Sequence, residues 1–78
     1  MKNATIDLHG VKHAEVTGLL DEFLYRHMVG HTAQVSIVTG NSEAMKAEVR
    51  KVLTEYGLTG TEGFWNRGEL KVDLFSFY

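Results

Sequence analysis

The clearest structural signal in the chain is the stretch Gln34-Val35-Ser36-Ile37-Val38-Thr39-Gly40-Asn41-Ser42. Its first six residues are rich in β-branched side chains on both faces, which is typical of a strand buried between layers. Gly40 interrupts the strand, and Asn41 or Ser42 is suited to cap a helix that starts immediately afterwards. The stretch therefore predicts a central strand that leads directly into a helix, the basic unit of an α/β sheet.

The residues upstream of this unit add a strand and a helix. Residues 4–9 alternate between apolar and polar side chains, which predicts a short strand whose polar face carries Asp7 and His9. From about His13, apolar residues recur at helical spacing until Gly30, which predicts a first helix that Gly30 ends. The chain thus begins as strand, helix and strand.

The downstream half adds a second helix and a closing hairpin. An apolar stripe at helical spacing predicts the helix and consists of Met45, Val49, Val52, Leu53 and Tyr56. Gly57 then supplies a left-handed stop. Residues 59–65 and 69–75 flank a three-residue connection, 66–68, whose Gly68 suits a hairpin turn. We therefore predict two antiparallel strands at the end of the chain.

The order β-α-β-α-β-β predicts a two-layer α/β sandwich, in which two helices pack on a four-stranded mixed sheet. Both crossovers are long enough for right-handed parallel connections. With 78 residues, the chain has room for one domain, spanning 1–78, with a thin core. The sequence has no internal repeat or linker that would divide this domain.

Composition narrows the classes of function. The chain has no cysteine, which excludes disulfides, a thiolate nucleophile and cysteine-ligated metal sites. Its formal net charge of −2 provides no overall positive field for nucleic acid, so such binding needs a local patch. The first residues lack the apolar core of a signal peptide, and no apolar run is long enough to span a membrane. We therefore expect a cytoplasmic protein without a membrane role.

Two polar clusters lie at the carboxyl ends of the first two predicted strands, where ligands of open α/β sheets bind. They consist of Asp7, His9 and Gly10 in the first cluster and Thr39, Gly40, Asn41 and Ser42 in the second. The N-terminus of the second helix offers unpaired N–H groups to a phosphate. His9 is suited to general acid or base catalysis, with Asp7 fixing its tautomer. We therefore predict a phosphate-binding crevice in which Asp7 and His9 are the catalytic residues.

Three cationic residues are further candidates for contacts with a phosphate backbone. Lys46 and Arg50 lie four residues apart on the predicted second helix, and Arg67 lies at the hairpin tip beside two aromatic residues. We expect Lys46 to stabilise charge on the phosphoryl oxygens. An ordinary solvated helix face is the alternative interpretation of Lys46 and Arg50.

Several segments of the chain together carry a family resemblance. They are Asp7-Leu8-His9-Gly10, the strand that ends in Thr39-Gly40, and the final segment Gly68-Glu69-Leu70-Lys71-Val72-Asp73-Leu74. With these segments the chain resembles the Smr (small MutS-related) domain over nearly its whole length. Thr39 stands where the second motif of that family most often has His, and Ser42 where it has a second Gly. The chain looks like a stand-alone copy with a divergent second motif and no ATPase segment.

The resemblance implies a fold similar to the C-terminal domain of the third bacterial translation initiation factor. It also implies nucleic-acid binding or endonuclease activity on RNA or DNA. We expect RNA, because its 2′-hydroxyl can serve as the nucleophile without a metal, whereas cleavage of DNA needs an activated water. We therefore expect no cofactor, and a divalent cation, with Asp7 as a ligand, only if DNA is the substrate.

Two alternatives to a nuclease remain open. In the first, the domain is a non-catalytic RNA- or ribosome-binding module, in which Thr39 reports a lost active site. In the second, the aromatic residues within 75–78 bind a protein partner or a second copy of the chain. Cleavage that depends on His9, salt-sensitive RNA binding without cleavage, and dimer formation distinguish the three hypotheses.

Overall fold

The computed structural model of the chain describes residues 3–63 and 66–74. The elements in these ranges are β1 (Asn3–Asp7), α1 (His13–Val29), β2 (Gln34–Val38), α2 (Glu43–Glu55), β3 (Gly60–Glu62) and β4 (Glu69–Asp73). The predicted order β-α-β-α-β-β is confirmed.

The strands form one mixed sheet in the order β1-β2-β4-β3. β1 runs parallel to β2, with Ile6 opposite Ile37, so the carboxyl ends of these two strands lie at the same edge. β4 pairs antiparallel with both β2 and β3 and separates them. The first crossover therefore joins neighbouring strands, whereas the second passes over the position that β4 fills.

Both helices pack on one face of the sheet and share a single core with it. The buried apolar side chains are Leu8, Val16, Leu20, Phe23, Leu24, Val35, Ile37, Met45, Val49, Val52, Leu53, Leu70, Val72 and Leu74. Those from β2 and β4 occupy alternate positions, as the two-residue period of a strand requires. The predicted sandwich of two helices on a four-stranded sheet is confirmed.

The second face of β2 differs from the expectation of a strand buried between two layers. Within the described residues no helix covers this face. Ser36 is nevertheless only 9% exposed, because Thr5 and Lys71 flank it in the sheet and the Lys71 Nζ donates to Ser36 Oγ at 3.4 Å. Lateral neighbours in the sheet, rather than a second layer, therefore bury the middle of β2.

The helix ends agree with the sequence in all but one detail. Lys12 precedes α1 without a side-chain cap, and Gly57 follows α2 in the left-handed conformation with φ 72°. Gly30 directly follows α1 as predicted, but its φ is −78°, and the left-handed residue is His31 with φ 60°. The left-handed position in the turn after α1 is therefore occupied by His31 instead of the glycine.

The closing hairpin is present, although its strands are shorter than predicted. β3 is Gly60–Glu62 and β4 is Glu69–Asp73, whereas the predicted strands cover 59–65 and 69–75. The predicted aromatic contributions of residues 64, 65 and 75–78 lie outside the described residues. None of the described helices is both long enough and apolar enough to cross a membrane.

Candidate functional site

The β1–α1 and β2–α2 turns meet at one edge of the sheet because β1 and β2 are adjacent and parallel. Between them lies an open cleft of about 400 Å³. Its lining includes His9, Gly10, His13, Thr39, Gly40, Asn41 and Ser42. The structure therefore brings together the two polar clusters that the sequence singles out, except for Asp7, which is not a lining residue.

The imidazole of His9 packs directly on the backbone of Gly40. A Cβ atom added at Gly40 would lie 2.9 Å from His9 Cδ2, which is closer than real Cβ contacts. Gly40 also has φ 70°, a conformation that residues with a side chain rarely adopt. His9 itself remains exposed to solvent. Glycine at position 40 therefore allows an accessible imidazole to lie against the turn that begins α2.

Asp7 makes a different contact from the one expected. Its Oδ1 accepts a hydrogen bond from the backbone N–H of His9 at 2.9 Å, rather than one from the imidazole. Aspartate side chains commonly bond the backbone two residues further on, and this local option competes with longer contacts. The carboxylate therefore fixes the backbone at the end of β1, and the prediction that it orients the ring is corrected.

The N-terminus of α2 opens on the same cleft. Ser42 caps the helix, as predicted, because its Oγ accepts from the backbone N–H of Met45 at 3.1 Å. The amides of Glu43 and Ala44 are among those that helical hydrogen bonding leaves over at a helix start. These N–H groups and the helix dipole favour an anion beside His9.

The two cationic candidates on α2, Lys46 and Arg50, form ion pairs with acidic side chains. Lys46 is only 2% exposed, and its Nζ lies 3.3 Å from a Glu43 oxygen and 3.5 Å from a Glu62 oxygen. An Arg50 guanidinium nitrogen lies 3.6 Å from the same Glu62 oxygen. Neither cation is among the residues that line the cleft. The expected role of Lys46 at the phosphate is therefore corrected, because its ammonium group is buried in ion pairs.

The hairpin turn contributes a contact that sequence reasoning missed. The Gly68 carbonyl accepts from the backbone N–H of Thr39 at 2.7 Å and from that of Gly40 at 3.0 Å. The two glycine backbones are close, since a Cβ at Gly68 would lie 3.3 Å from the Gly40 Cα. Arg67, which precedes Gly68 in the chain, is exposed. The hairpin is therefore docked on the β2–α2 turn through Gly68, the residue that follows Arg67.

No local signal in the sequence identifies the contact of Gly68 with Gly40. It follows from the insertion of β4 next to β2, which pairs Val38 with Glu69 and brings Gly68 to the end of β2. Arg67 is predicted to contact a phosphate backbone, and it is not among the residues that line the cleft. Arg50 is not brought to the cleft either.

The described residues contain no preformed cluster of metal-ligating side chains. Within 3–63 and 66–74, no three His, Cys, Asp or Glu side chains come together as a group that could hold one. Asp7, the expected ligand, accepts from the His9 backbone instead. We therefore derive no step through a cation.

Comparisons with known proteins agree with this geometry. The family profile described as the Smr domain matches residues 6–64. The chain is also similar in fold to the crystal structure of the Smr domain of Thermus thermophilus MutS2. The TM-score is 0.80 at 18% sequence identity, over 97% of this chain and 100% of that chain. No curated protein matches significantly. Because the profile spans most of the chain, including both turns of the cleft, the chain belongs to the Smr domain family.

Proposed function

We propose that the domain binds single-stranded RNA at the cleft and cleaves it with His9 as the acid–base group. Membership of the Smr domain family supports binding of nucleic acid. The observation that carries the proposal is the accessible His9 imidazole packed on Gly40, at the start of α2. This arrangement offers a phosphate both a proton-transfer group and unpaired backbone N–H donors.

RNA is the substrate that these groups serve best. His9 would take the proton of a 2′-hydroxyl, whose oxygen then attacks the neighbouring phosphorus and displaces the 5′-oxygen. The departing oxygen takes a proton from water, so the products are a 2′,3′-cyclic phosphate and a 5′-hydroxyl. The first amides of α2 would stabilise the charge that develops on the phosphoryl oxygens, in place of Lys46. DNA lacks the 2′-hydroxyl and would need a water activated by a cation.

A second candidate is RNA binding without cleavage, including binding to ribosomal RNA. Two observations favour it: the Asp7 carboxylate is engaged by the His9 backbone, and Lys46 is paired with Glu43 and Glu62. The cleft then has an imidazole but neither an orienting carboxylate nor a cation from α2. Binding alone needs only the helix N-terminus, the exposed Arg67 and surfaces for bases.

The test compares wild type with His9→Ala on end-labelled single-stranded RNA and on supercoiled plasmid, with and without EDTA. We expect RNA cleavage that survives EDTA and falls by about 100-fold or more in His9→Ala, the usual contribution of general acid–base catalysis. His13→Ala is the matched control, because it removes another imidazole of the same cleft. We expect it to retain cleavage.

The outcomes separate the candidates. Wild type that retards RNA in a gel but does not cut it supports the second candidate. Cleavage that is equal in wild type and His9→Ala refutes the role of His9. Cleavage of plasmid that stops with EDTA points to a metal-dependent DNA nuclease instead. Failure to bind any RNA overturns the proposal as a whole.

A role of the residues 75–78 in binding a protein partner or a second copy remains a prediction.

A further inference from the structure

The Thr39 side chain is buried at the border between the cleft and the hairpin. The residue is 2% exposed, and its Oγ1 lies 2.9 Å from the Gly40 carbonyl oxygen and 3.2 Å from that of Gly68. The hydroxyl carries one proton, which it donates to these backbone acceptors. A buried hydroxyl that is satisfied in this way is not offered to a ligand.

The Gly68 peptide is held on both sides. Its carbonyl accepts from the backbone of Thr39 and Gly40, and its N–H donates to Asn66 Oδ1 at 3.0 Å. Glu69, the next residue, is the first of β4 and pairs with Val38. The turn that carries Arg67 is therefore anchored by Asn66 on one side and by the β2–α2 turn on the other.

We propose that Thr39 is a positioning residue, whose hydroxyl fixes the 66–68 turn so that Arg67 contacts the bound nucleic acid. The hydrogen bonds from residues 39 and 40 to Gly68 are backbone bonds and do not involve the Thr39 side chain. The side chain adds a contact that only a hydroxyl supplies, at Gly68, the residue that directly precedes β4. Thr39 therefore determines where the cation of the hairpin lies. The contribution to binding rests on the proposed function; the anchoring of the turn does not.

The test uses Thr39→Val, which replaces the hydroxyl with a methyl group of similar volume, and Thr39→Ser, which retains the hydroxyl. Affinity for single-stranded RNA is measured for each in the wild-type and Arg67→Ala backgrounds. We expect Thr39→Val to weaken binding about three- to tenfold in the wild-type background and to have no further effect once Arg67 is removed. Thr39→Ser should restore the wild-type affinity.

The amide resonances of Asn66, Arg67 and Gly68 provide a second measurement that needs no RNA. We expect their chemical shifts to differ from wild type in Thr39→Val and to match wild type in Thr39→Ser. Unshifted resonances overturn the positioning role, as does an equal loss of affinity in both Arg67 backgrounds. If wild type binds no RNA, the proposed function fails, and the resonances alone decide whether Thr39 anchors the turn.

Asn66→Ala tests the same anchor from its exposed side if Thr39→Val does not fold. It removes the acceptor of the Gly68 N–H without changing the core. We expect a loss of affinity that again depends on Arg67. A loss of the same size in the Arg67→Ala background would contradict the proposal.

Discussion

A side chain at position 40 would meet two obstacles, and they can be measured separately. Gly40→Ala would have to accept φ 70° and would place its Cβ 2.9 Å from the His9 ring. Left-handed backbone costs a residue with a Cβ about 1–2 kcal/mol, and overpacking adds about 1 kcal/mol or more. We expect Gly40→Ala to lower the free energy of unfolding in urea and to shift the His9 ring resonances.

Gly10→Ala is the matched control for this prediction. Gly10 has φ 83°, but a Cβ there would have nothing within 4 Å. Gly10→Ala should therefore lose only the free energy that the left-handed backbone costs, and it should leave the His9 ring resonances unchanged. If both variants lose the same free energy of unfolding, the packing of His9 on Gly40 contributes nothing.

At the level of elements, one hydrogen bond joins α1 to the end of α2. The Tyr56 hydroxyl donates to Asp21 Oδ1 at 3.0 Å. Burial, and then the hydrogen bond to this carboxylate, raise the pKa of Tyr56 above its usual value of 10.0. The folded state therefore holds the phenol proton more tightly than the unfolded state.

This pKa shift predicts the pH dependence of stability. Its contribution is fully present below the unfolded pKa near 10 and is lost as the pH rises through the higher folded pKa. Tyr56→Phe should cost about 0.5–1.5 kcal/mol near neutral pH and should lose less stability than wild type from pH 9 upwards. Tyr25→Phe, at a tyrosine that is 69% exposed, is the control. Urea titrations of all three proteins are compared near neutral pH and above pH 9. Parallel curves for wild type and Tyr56→Phe would contradict the prediction.

The ion pairs of Glu62 connect β3 to α2. Glu62→Gln would leave the buried Lys46 with only the exposed Glu43 as a charged partner. Because hydrogen bonds to charged groups are worth more than neutral ones, we expect a loss of about 1–3 kcal/mol in the free energy of unfolding. Glu22→Gln, which breaks the exposed pair with Arg26, should cost at most about 0.5 kcal/mol. Equal losses in Glu62→Gln and Glu22→Gln would mean that the burial of Lys46 does not strengthen its ion pair with Glu62.

At the level of the whole molecule, a net charge of −2 has to be reconciled with binding of a polyanion. The fold pairs Lys46 and Arg50 with Glu62 and leaves Arg67 exposed, next in the chain to the Gly68 that contacts the β2–α2 turn. Each phosphate contact on a single strand contributes about 0.7 to the slope of log affinity against log salt. We therefore expect a shallow slope in wild type that Arg67→Ala reduces by about 0.7.

Arg26→Ala is the matched control for the salt titration. It removes the same charge, but from the last turn of α1, at the opposite end of that helix from the cleft. Its slope should equal that of wild type. Equal reductions in both variants would show that net charge, rather than the position of Arg67, governs binding.

Local sequence patterns were sufficient to predict the order of the elements, the layer of two helices on the sheet, and the proximity of the β1–α1 and β2–α2 turns. Periodicity identifies each buried face, and adjacent parallel strands must bring residues 9 and 40 to one edge. Three contacts became known only from the tertiary structure. They are the ion pair of Lys46 with Glu62, the hydrogen bonds of the Gly68 carbonyl with the β2–α2 turn, and the hydrogen bond of Asp7 with the His9 backbone. The contacts of Lys46 and Gly68 depend on the position of β4 between β2 and β3, and they join residues far apart in the chain. Asp7 has two nearby donors in His9, the backbone N–H and the imidazole, and the sequence does not distinguish between them.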